Sequence, residues 1–310
     1  MTRRIGFLLV PDFALMSYAA AAEPLRAANV LGGRALYEGL NVSLDGGPIR
    51  ASNGATILAD ARVGEAVALD IAFVIQGGNP ARFEDPVLSV WLRALARRGV
   101  LLGGISGGAY ALARAGLLDG HRCTVHWEYA AAFREEFPRV RLERGLYVAD
   151  RDRLTCGGGV AALDMMHALI AREHGPALAG EVSAWFLHTE ARAGSGPQRA
   201  TAERHGTRHP TLVAALAEIE RTVAGPPSRA EIAARAGTSL RYLERLFAAH
   251  LGTTIAAHAL AVRLDRARAL LRQTGRPVLE VALMTGFTSA SHFARAYRAR
   301  HGRPPRAERT

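Results

Sequence analysis

The sequence predicts two structural classes in one chain: an α/β unit built on an open, mostly parallel sheet, then an all-α unit of tandem helix-turn-helix pairs. Three observations predict this. Short apolar runs alternate with helical patterns up to about residue 189. From residue 211 the pattern is helical to near the end, with no strand signal. The formal charge of +11 is concentrated in the last quarter: residues 226–310 hold 15 Arg against 5 acidic residues, a net of +10, and residues 1–225 hold 24 Arg against 23.

The elements follow in order. Residues 4–10, RIGFLLV, suit a strand buried on both faces. A helical stretch with Leu25, Ala28 and Leu31 comes next and should end near Gly32-Gly33. Residues 41–44 are a further strand candidate, and residues 70–75 another, ending at Gly77-Gly78. Residues 86–98 read as an amphipathic helix, 100–105 as a strand and 109–116 as a helix. Helices over 161–172 and 176–189 close the unit. In such sheets ligands sit at the carboxyl ends of the strands, which places the turns after 70–75 and 100–105 side by side at such a site. Residues 190–210, EARAGSGPQRATAERHGTRHP, are polar and rich in Gly, Ser, Arg and Pro. They read as a linker, giving a first domain over 1–189, a linker over 190–208 and a second domain over 209–310.

Composition narrows the classes. A chain of 310 residues, 49% hydrophobic, can bury two cores. No apolar stretch approaches the roughly 20 residues of a membrane span. The first strand follows the N-terminus at once and meets Pro11-Asp12, which is too short a run for a signal peptide, so a cytoplasmic location is expected. Cys123 and Cys156 could pair, but they make neither a disulfide framework nor a cysteine zinc site. There is no P-loop, no His/Cys metal cluster and no acid pair for glycoside chemistry. TCGGGVAAL is no dinucleotide fingerprint, because its glycines are bunched and no βαβ unit follows. No cofactor and no metal are expected.

The basic tail repeats one pattern twice, at residues 229–252 (RAEIAARAGTSLRYLERLFAAHLG) and 278–302 (VLEVALMTGFTSASHFARAYRARHG). Each copy has a short amphipathic helix and a turn glycine, Gly237 or Gly286. A capping residue follows, Ser239 or Ser289, and then a second helix. Leu243, Leu246 and Phe247, or Phe293 and Tyr297, form the apolar face of that second helix. Residues 257–272 read as a connecting helix. In a helix-turn-helix the second helix enters the DNA major groove. The candidate DNA-contacting residues are Ser239, Arg241, Tyr242 and Arg245 in the first copy and Ser289, Ser291, His292 and Arg295 in the second. Arg can donate twice to guanine or clamp phosphate, and Ser and His reach phosphates or base edges. Tyr242 also suits the core at its spacing, and a basic helical surface can be solvated without a partner.

This tail resembles the AraC-type DNA-binding domain on EIAARAGTSLRYLERLF, RLDRARALL and GFTSASHFARAYRARHGRPP. The first domain resembles the DJ-1/PfpI class of glutamine amidotransferase-like domains on FALMSYAAAAEPLRAAN, AFVIQGG, GGISGGAYALARAGLLDG and TVHWEY. Together these are the layout of GlxA-like regulators. The resemblance implies a flavodoxin-like sheet, a homodimer, double-stranded operator DNA and RNA polymerase as partners, and a small-molecule effector. TVHWEY, SLDGGPIRASNG and TCGGGVAALDMMHALIA resemble the branch that senses arginine, carnitine or glycine betaine, mostly as activators of catabolic genes.

Ser106 stands in a nucleophile-elbow context, strand, Gly-Ile-Ser-Gly-Gly turn and helix, where the superfamily's enzymes place cysteine. His126 matches the family histidine and Glu23 the family glutamate. A serine needs a base oriented by a third group, and no acid stands at an obvious spacing, although Glu128 is close in sequence. Three readings stay open: a serine-dependent hydrolase or amidase, a small residue in a tight turn, and a non-enzymatic sensor pocket. We take the last. Its expected lining is Glu23, Gly77, Gly78, Ser106, Gly107, His126 and Trp127. The Gly78 and Gly107 amides would bind a carboxylate, and Trp127 with Glu23 or Glu128 would face a cation.

Overall fold

The computed structural model describes residues 1–199, 205–207 and 209–309. The chain divides into two compact units, Met1–Gln198 and Arg199–Thr310.

The first unit carries strands β1 (Arg3–Leu9), β2 (Tyr37–Ser43), β3 (Ile49–Arg50), β4 (Thr56–Ile57), β5 (Ala61–Arg62), β6 (Ile71–Gln76), β7 (Leu101–Ser106), β8 (Arg122–Cys123), β9 (Arg141–Leu142), β10 (Tyr147–Asp150) and β11 (Arg153–Cys156). Its helices are α1 (Leu15–Leu31), α2 (Pro86–Arg97), α3 (Ala109–Arg114), α4 (Ala130–Glu136), α5 (Ala161–His174) and α6 (Pro176–Trp185). The main sheet has seven strands in the order β10-β11-β7-β6-β1-β2-β5, parallel throughout except for the β10–β11 hairpin at one edge. The sequence reading had no strands over 147–156. Each of these two is only four residues long, and β11 buries Arg153, whose Nε is held by Leu117 O at 2.9 Å. The last helix stops at Trp185 rather than at 189.

Continuous apolar strands arise because both sheet faces are covered. The side-chain period of two sorts them: Leu8, Val10, Ala72, Val74 and Leu102 join one core with Leu88, Leu92 and Leu112 of α2 and α3. Ile5, Phe7, Leu9, Ile71, Phe73, Ile75 and Ile105 join the other with Leu25, Met165 and Leu169 of α1 and α5. Both cysteines are buried and unpaired, so the disulfide option falls away.

Residues 190–198, expected as part of the linker, lie against the first unit. Tyr147 N donates to Gly194 O at 3.3 Å, and Pro197 bridges Gly145.

The second unit holds α7 (Pro210–Arg221), α8 (Arg229–Arg235), α9 (Leu240–Leu251), α10 (Ile255–Gln273), α11 (Val278–Met284) and α12 (Ala290–His301). Leu212, Leu216, Ile232, Leu243, Phe247 and Ile255 form its first core cluster. Phe287, Phe293 and Tyr297 pack in sequence, edge-on at 5.0 Å and tilted at 5.5 Å, around the second helix pair. Ser228 and Glu231 make a capping box on α8, and Ser239, Thr254 and Ser289 cap α9, α10 and α12. Gly237 and Gly286 sit in the turns at φ +68° and +77°, a region that suits glycine. Among the described residues no helix is long and apolar enough to cross a membrane.

Candidate functional site

The elbow is built by close backbone approach. Ser106 holds φ at +61°, and Gly107 N donates across to Gln76 O at the end of β6, at 2.9 Å. The glycines let α3 fold onto the sheet: a Cβ on Gly104 would stand 2.5 Å from Ala109 N, and one on Gly108 would overlap Val74 O. Ser106 is 6% exposed, and among the described residues no hydrogen bond engages its Oγ. The main chain of His126 is tied to the elbow, its N donating to Ser106 O at 3.2 Å. Cys156 lies beside the elbow, and burial pushes its thiol up to about 12, which leaves it a neutral packing group.

Next to the elbow lies a cavity of about 160 Å³ at the C-terminal ends of the sheet strands. Its walls are His126 and Trp127, the Gly157-Gly158 turn before α5 with Val160 and Ala161, Leu146, and Arg192 and Gln198. Gly158 joins the two features, since a Cβ there would stand 2.6 Å from Ser106 Cβ and 2.8 Å from Ser17 Oγ. Trp127 is 44% exposed, and the His126 imidazole lies against its ring at 5.1 Å, with Glu128 3.9 Å from His126 Nδ1.

The expected lining is thus brought together only in part. His126, Trp127 and Ser106 are neighbours. The Gly107 amide is consumed by Gln76 O at the end of β6 and cannot bind a carboxylate. Gly77 is packed against the Asp12–Ala14 main chain, and the Gly78 carbonyl accepts from Tyr129 Oη at 3.0 Å. Glu23 lies further along α1, 46% exposed and paired with Arg26 at 2.7 Å. The α1 side chain that meets the Gly158-Gly159 turn beside the elbow is Ser17, whose Oγ accepts from Gly159 N at 2.8 Å. Arg192 and Gln198 were missed because a polar, Gly-rich stretch carries no periodicity that reveals a wall of a cavity. Among the described residues no group of three His, Cys, Asp or Glu could hold a metal ion.

In the second unit the arginines fall into two sets. Arg229, Arg235, Arg276, Arg300 and Arg303 are paired with Glu244, Glu218, Glu280, Asp265 and Glu308. Arg241 and Arg245 on α9 and Arg295 and Arg298 on α12 are exposed, and none of them forms an ion pair among the described residues. Exposed, unneutralised cations on both second helices are what a phosphate backbone attracts. Ser291 is exposed beside them. Ser239 and Ser289 face their own helices, accepting from Tyr242 N and His292 N at 3.3 Å. Tyr242 is half-buried: its hydroxyl lies 3.4 Å from His209 Nε2, and Arg245 sits 5.0 Å over its ring. It anchors α9 and shelves Arg245. The exposed His292 rests edge-on against Phe287 at 5.6 Å.

An α/β unit with an elbow and a crevice, joined in one chain to two helix-turn-helix pairs, defines a regulator of transcription that binds DNA. Residues 3–172 match the DJ-1/PfpI family, and residues 232–310 match the helix-turn-helix domain family. The chain is 44% identical over 305 residues to the HTH-type transcriptional regulator GlxA of Rhizobium meliloti, covering 98% of this chain and 94% of that one. It is 43% identical over 310 residues to the HTH-type transcriptional regulator CdhR of Pseudomonas aeruginosa, covering 100% and 92%. An AraC family transcriptional regulator from Pseudomonas putida superposes at TM-score 0.55 with 31% identity, covering 59% of this chain and 99% of that chain. The chain belongs to the GlxA-like family of HTH-type transcriptional regulators, a DJ-1/PfpI domain fused to an AraC-type DNA-binding domain.

Proposed function

We propose that this regulator senses a small amino-acid-like or quaternary-amine metabolite, of the arginine, carnitine or glycine betaine class, in the crevice beside Ser106, and activates catabolic genes in response. It works as a cytoplasmic homodimer that meets RNA polymerase at its operator. The observation that carries the reading is Trp127, a large half-exposed ring on the wall of a polar crevice with Glu128 next in sequence. An aromatic face near a carboxylate suits a cationic head that keeps little hydration. The first domain is not an enzyme on this reading. A buried serine hydroxyl without a hydrogen-bonded base is poorly placed to attack. The effector acts by favouring one of two conformations, to the extent that its affinity for them differs.

A thermal-shift screen of the full chain with glycine betaine, carnitine, arginine and neutral amino acids tests this. A true effector raises the melting temperature in step with its concentration. Stabilisation by neutral or anionic compounds, with none by the cationic ones, would show that the cation pocket is wrong.

A further inference from the structure

The Gly107 amide is spent on Gln76 O of β6, and neither Gly78 nor Gly107 lines the cavity, so the anionic end of an effector there needs another partner. We propose that Arg192 is the anchor for the effector's carboxylate, and that Gln198 is the latch that closes the strap of residues 190–198 over it. This rests on the crevice being the effector site.

Arg192 lines the cavity and is 45% exposed at its side chain. Its orientation is set from behind by the buried Asp164. Nε and Nη2 donate to Oδ2 at 3.1 and 2.6 Å, and the main-chain N donates to Oδ1 at 2.8 Å. Asp164 Oδ1 also meets His188 Nε2 at 3.0 Å. The guanidinium is therefore fixed in place, with Nη1 unbonded among the described residues. A planar cation held this way offers a preset edge for a carboxylate. Because Asp164 already shares the charge, the site suits a monoanion over a dianion.

Gln198 spends its whole side-chain amide on the crevice walls. Its Oε1 accepts from Trp127 N at 2.7 Å, and its Nε2 lies 3.0, 3.0 and 2.8 Å from Thr124 Oγ1, Val125 O and Gly145 O. Gly157 makes room for it, since a Cβ there would stand 2.7 Å from Gln198 Cδ. Between the two anchors, Ala193, Ser195 and Pro197 are exposed and add nothing to the apolar core. A segment held by polar contacts alone sits at the low end of local stability, where a ligand shifts its closure readily. The next residue, Arg199, begins the second unit, so closure fixes the chain where the DNA-binding unit starts.

The test is calorimetric titration of the full chain with glycine betaine and arginine, and with choline and agmatine as their carboxylate-free counterparts. Wild type, Arg192→Gln, Arg192→Lys and Gln198→Ala are compared, and tryptic cleavage after Arg199 is followed with and without saturating probe. The carboxylate probe that binds wild type should lose at least about tenfold in Kd in Arg192→Gln, less in Arg192→Lys, while its counterpart binds all three alike. The bound probe should slow cleavage in wild type and not in Gln198→Ala. Equal Kd values for wild type and Arg192→Gln, or equal losses for a probe and its counterpart, overturn the anchor alone. Protection that survives in Gln198→Ala, or is absent from wild type, overturns the latch. If neither carboxylate probe binds wild type, the effector class itself is wrong and the anchor falls with it.

Discussion

Ser106 sits at φ +61°, a conformation that costs a residue with a Cβ about 1–3 kcal/mol, and the packed elbow around it sustains that strain. Its hydroxyl has no assigned part, so Ser106→Ala should leave ligand-dependent transcription intact or shift only the ligand's affinity. Stoichiometric labelling by a serine-directed probe, with turnover lost in Ser106→Ala, would establish a hydrolase instead. Gly108 is different in kind. A Cβ there would overlap Val74 O, and a backbone atom cannot step aside, so Gly108→Ala should destabilise the first unit by about 3 kcal/mol, read from urea midpoints. Trp127 tests the cation half of the crevice. Trp127→Leu should cost roughly 1–2 kcal/mol of effector affinity and Trp127→Phe less, because Phe keeps a π face. Equal losses in the two variants would mean that the ring packs without touching the ligand.

At the scale of elements, the sheet was legible because buried parallel strands leave long apolar runs, as residues 4–10 and 70–75 do. The helix pairs were legible because Gly237 and Gly286 hold positive-φ turns and Ser239 and Ser289 cap the helices that follow, local duties that few residue types fill as well. Positions set by long-range contact were not legible. Ser17 holds the Gly158-Gly159 turn beside the elbow while Glu23 pairs with Arg26, and a small polar residue within a helix leaves no periodic mark. The strap at 190–198 reads as linker because hydrogen bonds and glycine approaches, not apolar side chains, hold it. In the second unit His258 packs between Phe247 and His205, and burial, followed by His205, pulls its pKa below the ordinary value. His301, against Tyr297, is lowered by burial as well. A lowered histidine means that the unfolded chain takes up protons first. Stability is then fully present above about pH 6.5 and is lost as pH falls below it. The melting temperature of this unit should therefore fall between pH 7.5 and 5.5, and His258→Gln should flatten the trend. A melting temperature that rises on acidification would contradict this assignment of signs.

Over the whole molecule, a near-neutral α/β unit is joined to a basic one that exposes unpaired arginines on both second helices. The 19-residue α10 between the pairs spans about 28 Å, comparable with the roughly 34 Å between successive major grooves. Arg241 and Arg295 should therefore act in separate grooves. Each alanine substitution should cost about 1–3 kcal/mol if the residue reads a base, or weaken all sequences alike and flatten the salt slope by about one if it holds a phosphate. The most direct measurement is the Kd of the full chain for DNA upstream of its own gene and the genes beside it, from 50 to 200 mM salt, for wild type and Arg241→Ala/Arg295→Ala. It is made with and without glycine betaine, carnitine or arginine. The expected result is that log affinity falls steeply and linearly with log salt, is lower and has a shallower slope in the double variant, and shifts in wild type when the effector is added. Affinity that is indifferent to salt and to loss of both arginines would contradict it.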